Sequence, residues 1–576
     1  MADPQPFMKW PALGTGLRDA WQAGYRLGDL RRDILAGVTI GIVAVPLSMA
    51  LAIATGVAPQ HGLYTAIVAG IVIALTGGTR YNVSGPTAAF VVILLPIVQQ
   101  YGLGGLLVAT LMAGAILVGL GVARLGVLIQ YVPYPVILGF TAGIALVIAT
   151  LQVPDFLGLS VSAGESYVDN VGRIVAALPS TQPAELAVGA LTLAVLLVWP
   201  RLKLPLPAPL AGLVIGALAG YAVNHWLPID DVDTIASRFS WSLDGASGQG
   251  IPPIAPSLSL PWHWPGPDGQ PLTLNFELIR VLLGPACAIA MLAAIESLLC
   301  AVVADGMTRG RHDPNAELIG QGLGNLAAPF FGGITATGAL ARTATNIRSG
   351  AHSPVSAVVH ALVVLLAVVS LAELLGQVPM ASLAALLFVI AWNMSEAHHF
   401  LRTLRTAPPG DIAILAICFL LTVLFDMVLA VAVGVGLAAV LFIRRMSGLT
   451  RSTRLDDSHP GLLDSLPEQV AVYAINGPMF FGAAEKALAS LRIVDPGVKL
   501  VIVDMHDVPS IDGTALVALR TLVNEMHRQG IALIFVGLSS RQIVKLRRTG
   551  IHTATRRLTH CATLERARHV ARRWLA

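Results

Sequence analysis

Two stretches of this chain, SGPTAAF at residues 84–90 and TATGALART at residues 335–343, interrupt otherwise apolar sequence with glycine, proline, hydroxyl groups or a charge. Each is followed by fewer apolar residues than the roughly 20 that a helix needs to cross the hydrocarbon core of a membrane. Unwound backbone at membrane depth persists only where protein buries it or where it lines a wet cavity. The two stretches therefore predict a pair of broken helices whose free N–H groups face one cavity, which favours an anion there.

The composition is typical of a polytopic helical membrane protein. The chain has 576 residues, of which 55% are hydrophobic and 12% are charged, whereas soluble domains average about 25% charged residues. The net charge is only +4, and no lysine- and arginine-rich run indicates nucleic-acid binding. The four cysteines form neither a CxxC pair nor a Cys/His metal spacing. We therefore expect no disulfide, no metal and no cofactor.

Apolar segments recur about fourteen times between residues 34 and 443. The positive-inside rule supports this count if the amino terminus is cytoplasmic, because alternation then places most of the basic loops inside. The long loop at about 227–280 instead carries six acidic residues against two arginines, as an exported loop would. Fourteen spans form two halves of seven, and an odd number inverts one half relative to the other. The two broken helices fall third in each half.

Changes in composition divide the chain into four parts. We predict a cytoplasmic segment at 1–31, a transmembrane domain at 32–446, a linker at 447–467 and a soluble α/β domain at 468–576. Within the soluble domain, alternating apolar and amphipathic segments predict three strands and two helices. The strands are expected at 470–475, 499–505 and 532–536, and the helices at 483–491 and 514–529.

Two charged residues lie in sequence that should be at membrane depth. Glu296 is the only charged residue between Val281 and Val303, and such carboxylates are costly and usually functional. We predict that Glu296 carries a proton, with a structural acid that caps a broken helix as the alternative. Arg342 lies about one turn into the second half-helix, where its guanidinium can bind an oxyanion through two hydrogen bonds. The alternative for Arg342 is a contact between helices.

Hydroxyl groups in the two stretches are further candidates for ligand binding. Thr87, Thr335 and Thr337 can donate hydrogen bonds to a substrate, although threonine in membrane helices also bonds to helix carbonyls. No catalytic signature accompanies them: the GPMFFG segment at 477–482 lacks the Lys-Ser/Thr of a P-loop, and no HExxH is present. The sequence therefore indicates neither an enzyme nor ATP-driven transport.

Further motifs resemble the sulfate permease family, also known as the solute carrier 26 group, and they occur in the family's order. They are DILAGVT at 33–39, AVPLSMA at 44–50, GVAPQHGLY at 56–64, SGPT at 84–87, IESLL at 295–299 and ARTATN at 341–346. DMHDVPSIDGTAL at 504–516 resembles a STAS domain, the usual cytoplasmic domain of this family. Within the family, the chain resembles most the bacterial branch of dicarboxylic acid transporters.

The resemblance implies a uracil-permease-like fold of two inverted seven-span repeats. It also implies core and gate subdomains that move by an elevator-like slide, and a homodimer. Family members bind an anion between the third and tenth spans, close to the first. In this chain the corresponding residues are Leu47, Leu51, Gly85, Thr87, Leu340, Ala341 and Arg342.

Three positions bear on substrate, coupling and regulation. Many members have glutamine where this chain has Leu47, so its pocket should be more apolar and less suited to inorganic sulfate. The sodium-coupled bicarbonate branch tends to have aspartate in place of Glu296, which favours protons here. Thr514 corresponds loosely to a phosphorylated position of related STAS domains, and a structural role at a helix start is the alternative.

Together these features predict proton-coupled uptake of a C4-dicarboxylate such as succinate or fumarate. We expect a multi-pass protein of the bacterial inner membrane with both termini in the cytoplasm and lipid around its spans. Sulfate and bicarbonate are alternative substrates. A membrane sensor that detects an anion and signals through the STAS domain to an unknown cytoplasmic partner is a different class. The presence of Glu296, Arg342 and both broken helices favours transport, because a sensor needs no proton site.

Overall fold

The computed structural model describes residues 13–129, 132–161, 164, 166–202, 204, 206–226, 231–243, 246–425, 427–455, 466–492 and 495–576. Two compact units make up the chain, Met1–Val435 and Gly436–Ala576. Residues 1–12 of the predicted cytoplasmic segment and residues 456–465 of the predicted linker lie outside the described ranges.

Helices dominate the first unit. In chain order they are α1 Thr15–Gln22, α2 Leu27–Ala54, α3 Pro59–Thr76, α4 Val91–Val122, α5 Gly126–Ile129, α6 Tyr134–Leu157, α7 Tyr167–Ala177, α8 Pro183–Val198, α9 Ala208–Trp226, α10 Ile235–Arg238, α11 Phe276–Thr308, α12 Pro314–Ala327, α13 Leu340–Arg348, α14 Val355–Gly376, α15 Met380–Ser395, α16 Ala397–Thr406, α17 Pro409–Leu424 and α18 Met427–Leu449, the last of which continues into the second unit. Four short strands accompany them: β1 Ser84–Gly85, β2 Ser240–Leu243, β3 Ala246–Gln249 and β4 Thr337–Gly338.

Ten helices among the described residues are long and apolar enough to cross a membrane. One of them contains α4, in which Gly102 has φ 68° and ψ −175°, so that two helices meet at a kink. Three shorter helices, α12, α13 and α17, have 14, 9 and 16 residues. Each predicted span thus has a helical segment at its place in the chain, and the number that cross a membrane stays a prediction.

The helix contacts repeat between the two halves of the sequence when α2, α3, α4 and α6 are matched with α11, α12, α14 and α15. α4 packs on α11 as α14 packs on α2, and α12 packs on α4 as α3 packs on α14. Three further contacts map onto themselves: α3 with α12, α6 with α15, and β1 with β4. This pattern is what two related halves about a pseudo-twofold axis would give.

Two groups of helices emerge from these contacts. α2, α3, α4, α11, α12 and α14 form the first group, and α6, α8, α9, α15 and α17 form the second. Close approach within the first group depends on glycine, because a Cβ atom on Gly41 would lie 2.6 Å from the Cβ atom of Val363. The resemblance implies a core and a gate, and the assignment of these two groups to them stays a prediction.

The second unit contains a five-stranded sheet in the order β5-β6-β7-β8-β9, with β5 antiparallel to β6 and the other neighbours parallel. Its strands are β5 Arg451–Arg454, β6 Val470–Asn476, β7 Leu500–Asp504, β8 Ala532–Val536 and β9 Leu558–Cys561. Its helices are α19 Phe481–Arg492, α20 Gly513–Arg528, α21 Ser540–Arg548 and α22 Leu564–Leu575. The three predicted strands and two predicted helices are present.

The predicted linker at 447–467 begins with regular structure. α18 continues to Leu449, and β5 then pairs with β6, Arg451 opposite Asn476. β5 has the sequence RSTR, and three of its four residues are exposed. An edge strand in solvent needs no apolar face, which is why its polar sequence resembled a linker. Of the remainder, residues 456–465 lie outside the described part.

Candidate functional site

The two interrupted stretches meet in space as a short antiparallel ladder. β1 pairs with β4, with Ser84 opposite Gly338 and Gly85 opposite Thr337. After β1 the chain makes a 3₁₀ turn at Ala88–Phe90 and enters α4, and after β4 it enters α13. The ladder satisfies backbone groups that two broken helices would otherwise leave free, and two helices start beside it.

Arg342 lies in the first turn of α13 and is buried, with 3% of its surface exposed. Its Nη2 donates a hydrogen bond to the Pro86 carbonyl. Within the described part of the chain, Nε and Nη1 have no hydrogen-bond partner. Each unmet buried donor costs roughly 1–3 kcal/mol, and more when the group is charged. Such a group gains strongly from any oxyanion that reaches it.

Gly85 makes room for this guanidinium. A Cβ atom at position 85 would lie 2.6 Å from Nη1 of Arg342 and 3.4 Å from its Cζ. The side chain of Arg342 therefore rests against the bare backbone of β1. This contact accounts for the glycine at the second position of the first interrupted stretch.

Glu296 joins the site through Thr87. The Thr87 hydroxyl donates to Oε2 of Glu296 over 2.9 Å, and Glu296 on α11 is half-buried. Glu296 and Arg342 interact electrostatically, yet the one hydrogen bond of the guanidinium goes to Pro86. The acid and the base thus share one site without bonding to each other, and donors of Arg342 remain for a ligand.

The other two candidate threonines support packing instead. Thr335 exchanges a hydrogen bond of 2.8 Å with Thr110 of α4, and Thr337 donates to the Ala293 carbonyl of α11 over 3.0 Å. Both are fully buried. For these two residues the structure supports the alternative in which the hydroxyl binds the protein itself.

The remaining predicted site residues differ in accessibility. Leu340 is 42% exposed, and Ala341 beside it is also exposed. On α2, Leu47 is half-buried, whereas Leu51 is only 2% exposed. Their roles in binding stay predictions.

Thr514 belongs to the second unit, near the start of α20. Its side chain is exposed. The helix cap is Asp512, which accepts the N–H of Ala515 over 2.7 Å. Thr514 is therefore accessible to modification and is not needed for this cap, and its phosphorylation stays a prediction.

Sequence reasoning missed three buried polar residues on α12: Glu317, Gln321 and Asn325. All three are fully buried and bond to the segments that lead into β1 and β4. Their spacing of four residues, in a helix otherwise rich in small and apolar residues, was the available signal. No set of three His, Cys, Asp or Glu side chains in the described ranges could hold a metal ion.

The fold and this site place the protein among membrane anion transporters. The Sulfate permease family matches residues 30–418, and the STAS domain matches residues 466–566. The chain therefore belongs to the sulfate permease family, whose members are transporters and not enzymes.

Two relatives and two solved structures are similar to this chain. The "Putative sulfate transporter YvdB" of Bacillus subtilis (strain 168) is 42% identical over 92% of this chain and 95% of its own length. The bicarbonate transporter BicA of a Picosynechococcus species is 31% identical over 90% and 91%. The structure of SLC26A9 covers 97% of this chain and 92% of its own, with a TM-score of 0.79 and 18% identity, which shows the fold alone. The BicA transmembrane domain covers 72% and 98%, with a TM-score of 0.60 and 27% identity.

Proposed function

We propose that the protein takes up a C4-dicarboxylate, such as succinate or fumarate, together with protons across a bacterial inner membrane. The observation that carries this proposal is the buried guanidinium of Arg342, two of whose three nitrogens have no partner within the described residues. A carboxylate of the substrate would satisfy these donors. The hydroxyl–carboxyl pair of Thr87 and Glu296 supplies the proton site beside them.

Charge balance links the anion to the proton. When Glu296 is ionised, it offsets the charge of Arg342, and a dianion would leave a net charge of −2 away from water. Such unbalanced buried charge is costly. Protonation of Glu296 removes one negative charge, so a dianion and a proton favour each other's binding. Transport then follows if the first helix group slides against the second, as the resemblance implies.

The substrate class rests on the apolar surroundings. Leu340, two residues before Arg342 in the sequence, is exposed, and Leu47 stands where many family members have glutamine. Methylene groups of a dicarboxylate suit such surroundings better than a fully hydrated inorganic anion does. Sulfate is the second candidate, favoured by the name of the 42% identical relative. Bicarbonate is favoured by that of the 31% identical relative.

The assembly and topology belong to the same proposal. Alternation of basic loops supports cytoplasmic termini, and the resemblance supports a homodimer. A sensor whose STAS domain signals to a cytoplasmic partner is the competing class. It would bind the anion without carrying it, so flux into sealed vesicles separates the two.

Uptake into proteoliposomes tests the proposal. Labelled succinate, fumarate, sulfate and bicarbonate are supplied with and without an inward proton gradient. We expect gradient-driven accumulation of the dicarboxylates. Binding of every anion without accumulation of any would contradict transport, and accumulation of sulfate or bicarbonate alone would replace the proposed substrate.

Arg342→Ala tests the site itself. Removing one partner of a buried charge pair costs roughly 3–5 kcal/mol, and about 1.4 kcal/mol is a factor of ten in affinity. Calorimetry should therefore show anion affinity at least about 100-fold weaker, with partial recovery in Arg342→Lys, which loses the planar fork. Arg348→Ala, at the exposed end of the same helix, is the matched control. Native affinity in Arg342→Ala for all four anions would place the site elsewhere.

A further inference from the structure

The polar stripe on α12, defined as Glu317, Gln321 and Asn325, takes no part in the proposed chemistry and yet lies fully buried. The three residues recur at intervals of four, so they share one face of the helix. A buried carboxylate is tolerated only when hydrogen bonds or charge partners surround it. Glu317 therefore needs a physical account.

Glu317 accepts hydrogen bonds from the segment that leads into β1. Its Oε2 accepts the backbone N–H groups of Gly78 and Thr79 over 2.9 and 3.1 Å. Its Oε1 accepts the side-chain amide of Asn82 over 2.8 Å. That amide also reaches the carbonyl of Ser297, next to Glu296 in sequence, over 3.4 Å. One carboxylate thus joins α12, the segment before β1 and, through Asn82, α11.

The other two residues of the stripe hold the strands themselves. Nε2 of Gln321 donates to Oγ of Ser84 in β1 over 3.0 Å, and also to Oε1 of Glu317 over 3.0 Å. Asn325 makes two hydrogen bonds with Ala336, which directly precedes β4. Nδ2 of Asn325 donates to the Ala336 carbonyl, and Oδ1 accepts the Ala336 N–H, both over 2.8 Å. A single helix face therefore fixes both strands of the ladder.

The backbone of the segment before β1 also packs directly against the backbone of α12 and the residue that precedes it. A Cβ atom on Gly78 would lie 2.0 Å from the carbonyl oxygen of Asp313, and one on Gly320 would lie 2.6 Å from Cα of Gly77. Backbone touches backbone at both points. The hydrogen bonds of Glu317 therefore act at fixed geometry.

We propose that the α12 polar stripe positions the anion site: it sets the place of Gly85, the Pro86 carbonyl and Thr87 by holding β1, and the start of α13 by holding β4. The proposal rests on the proposed function, because the stripe acts on the anion through the Arg342 site. Glu317, Gln321 and Asn325 are positioning residues because they act on the site through the two strands. Arg342 itself bonds to the Pro86 carbonyl and Thr87 to Glu296.

A donor–acceptor exchange between two partners tests this role. Glu317→Gln replaces one acceptor oxygen with a donor and should weaken anion affinity about tenfold or more, as loss of hydrogen bonds to a charged acceptor does. Asn82→Asp alone places a second carboxylate opposite that of Glu317 and should weaken anion affinity to a similar extent. In the double variant the introduced amide donates to the introduced carboxylate, which restores this one contact, while Nε2 of Gln321 and the Ser297 carbonyl lose theirs. Affinity should therefore recover in part and exceed that of either single variant. Glu373→Gln, an exposed glutamate on α14, is the matched control.

Hydrogen exchange supplies a readout that needs no anion. In Glu317→Gln, the amides of residues 78–90 should exchange at least about tenfold faster, and the double variant should restore part of their protection. Asn325→Leu, which is similar in size and loses the hydrogen bonds to Ala336 without burying a charge, is the second variant if Glu317→Gln does not fold. It should accelerate exchange around residues 335–340 and weaken anion affinity a few-fold.

The outcomes separate the two proposals. If Arg342→Ala loses anion binding while Glu317→Gln keeps native affinity and native hydrogen exchange, the positioning role of the stripe is contradicted and the proposed function stands. Failure of the double variant to recover, when both single variants are folded, would also overturn it. If the wild type binds no anion, the proposed function fails, and the exchange pattern still decides whether the stripe positions the ladder.

Discussion

Arg342 illustrates how a fold can place a charged side chain and still leave it available. The carbonyl of Pro86 satisfies one nitrogen, and the bare backbone of Gly85 lies against the rest. Glu296 balances the charge from a distance while its hydrogen bond goes to Thr87. Direct pairing of Glu296 with Arg342 would have closed the site to a ligand. The acid bonds to Thr87 and the base to Pro86 instead.

Gly85→Ala should weaken anion binding without removing any charge. The new methyl group would lie 2.6 Å from Nη1 of Arg342, so the guanidinium must move. A shift of this kind should cost about one order of magnitude in affinity, or roughly 1.4 kcal/mol. Gly119→Ala, on α4 with no atom within 4 Å of the added carbon, is the control and should bind as the wild type does. Equal affinities of the two variants, measured by calorimetry, would show that Gly85 is not needed for this contact.

Glu296→Gln should uncouple uptake from the proton gradient. In the wild type, dianion uptake should rise as the external pH falls, because protonation of Glu296 removes the negative charge that opposes the dianion. The amide is neutral at every pH, so binding should persist while initial uptake becomes independent of external pH. Glu277→Gln, an exposed acid in the first turn of the same helix, should keep the wild-type profile. A retained pH dependence in Glu296→Gln would assign the proton to another group.

At the level of elements, the sequence predicted what is local and missed what depends on partners far along the chain. Glycine, proline and threonine within a few residues predict the two broken helices, and β1 and β4 lie there. The hydrogen bonds of the stripe on α12 could not be predicted because Glu317 bonds to Gly78 and Thr79, more than 200 residues away in the sequence. No local pattern carries that information.

The edge strand β5 was missed, and the roles of Thr335 and Thr337 were left open, for related reasons. β5 is polar because it borders solvent, so its sequence lacks an apolar alternation. Thr335 and Thr337 have the composition of ligand-binding residues, and only the structure shows that Thr110 and Ala293 take their hydroxyls. Composition predicts which groups can donate a hydrogen bond, whereas the tertiary fold decides what accepts it.

On the scale of the whole molecule, the long loop before α11 connects the two helix groups. Its first part bonds to the second group, where Asp233 donates its N–H to Glu185 of α8 and accepts that of Met380 of α15. Its later part bonds to the first group, where Pro265 accepts the N–H of Gly104 of α4. Between them lies Gly250, with φ 80°. The loop thus contacts both helix groups.

The two units should also separate functionally when the chain is cut after Leu449. Arg342, Thr87, Glu296 and the α12 stripe all lie in Met1–Val435, so the fragment 1–449 should bind succinate with native affinity, though its rate or expression changes. A cut near Ser452 would instead divide β5. If the purified fragment 1–449 is folded and binds no anion, the second unit contributes to the site and our assignment is incomplete.

The complementary fragment tests where the second unit begins. Fragment 450–576 keeps β5 paired with β6 and should unfold cooperatively, whereas a fragment starting at 468 exposes the edge of β6. Loss of even one or two net hydrogen bonds, at roughly 0.5–1.5 kcal/mol each, should lower the unfolding midpoint by at least about 3 °C. Thermal unfolding followed by circular dichroism measures the difference. Identical midpoints would mean that β5 adds nothing to the stability of the domain, and that its pairing serves only to connect the sheet to α18.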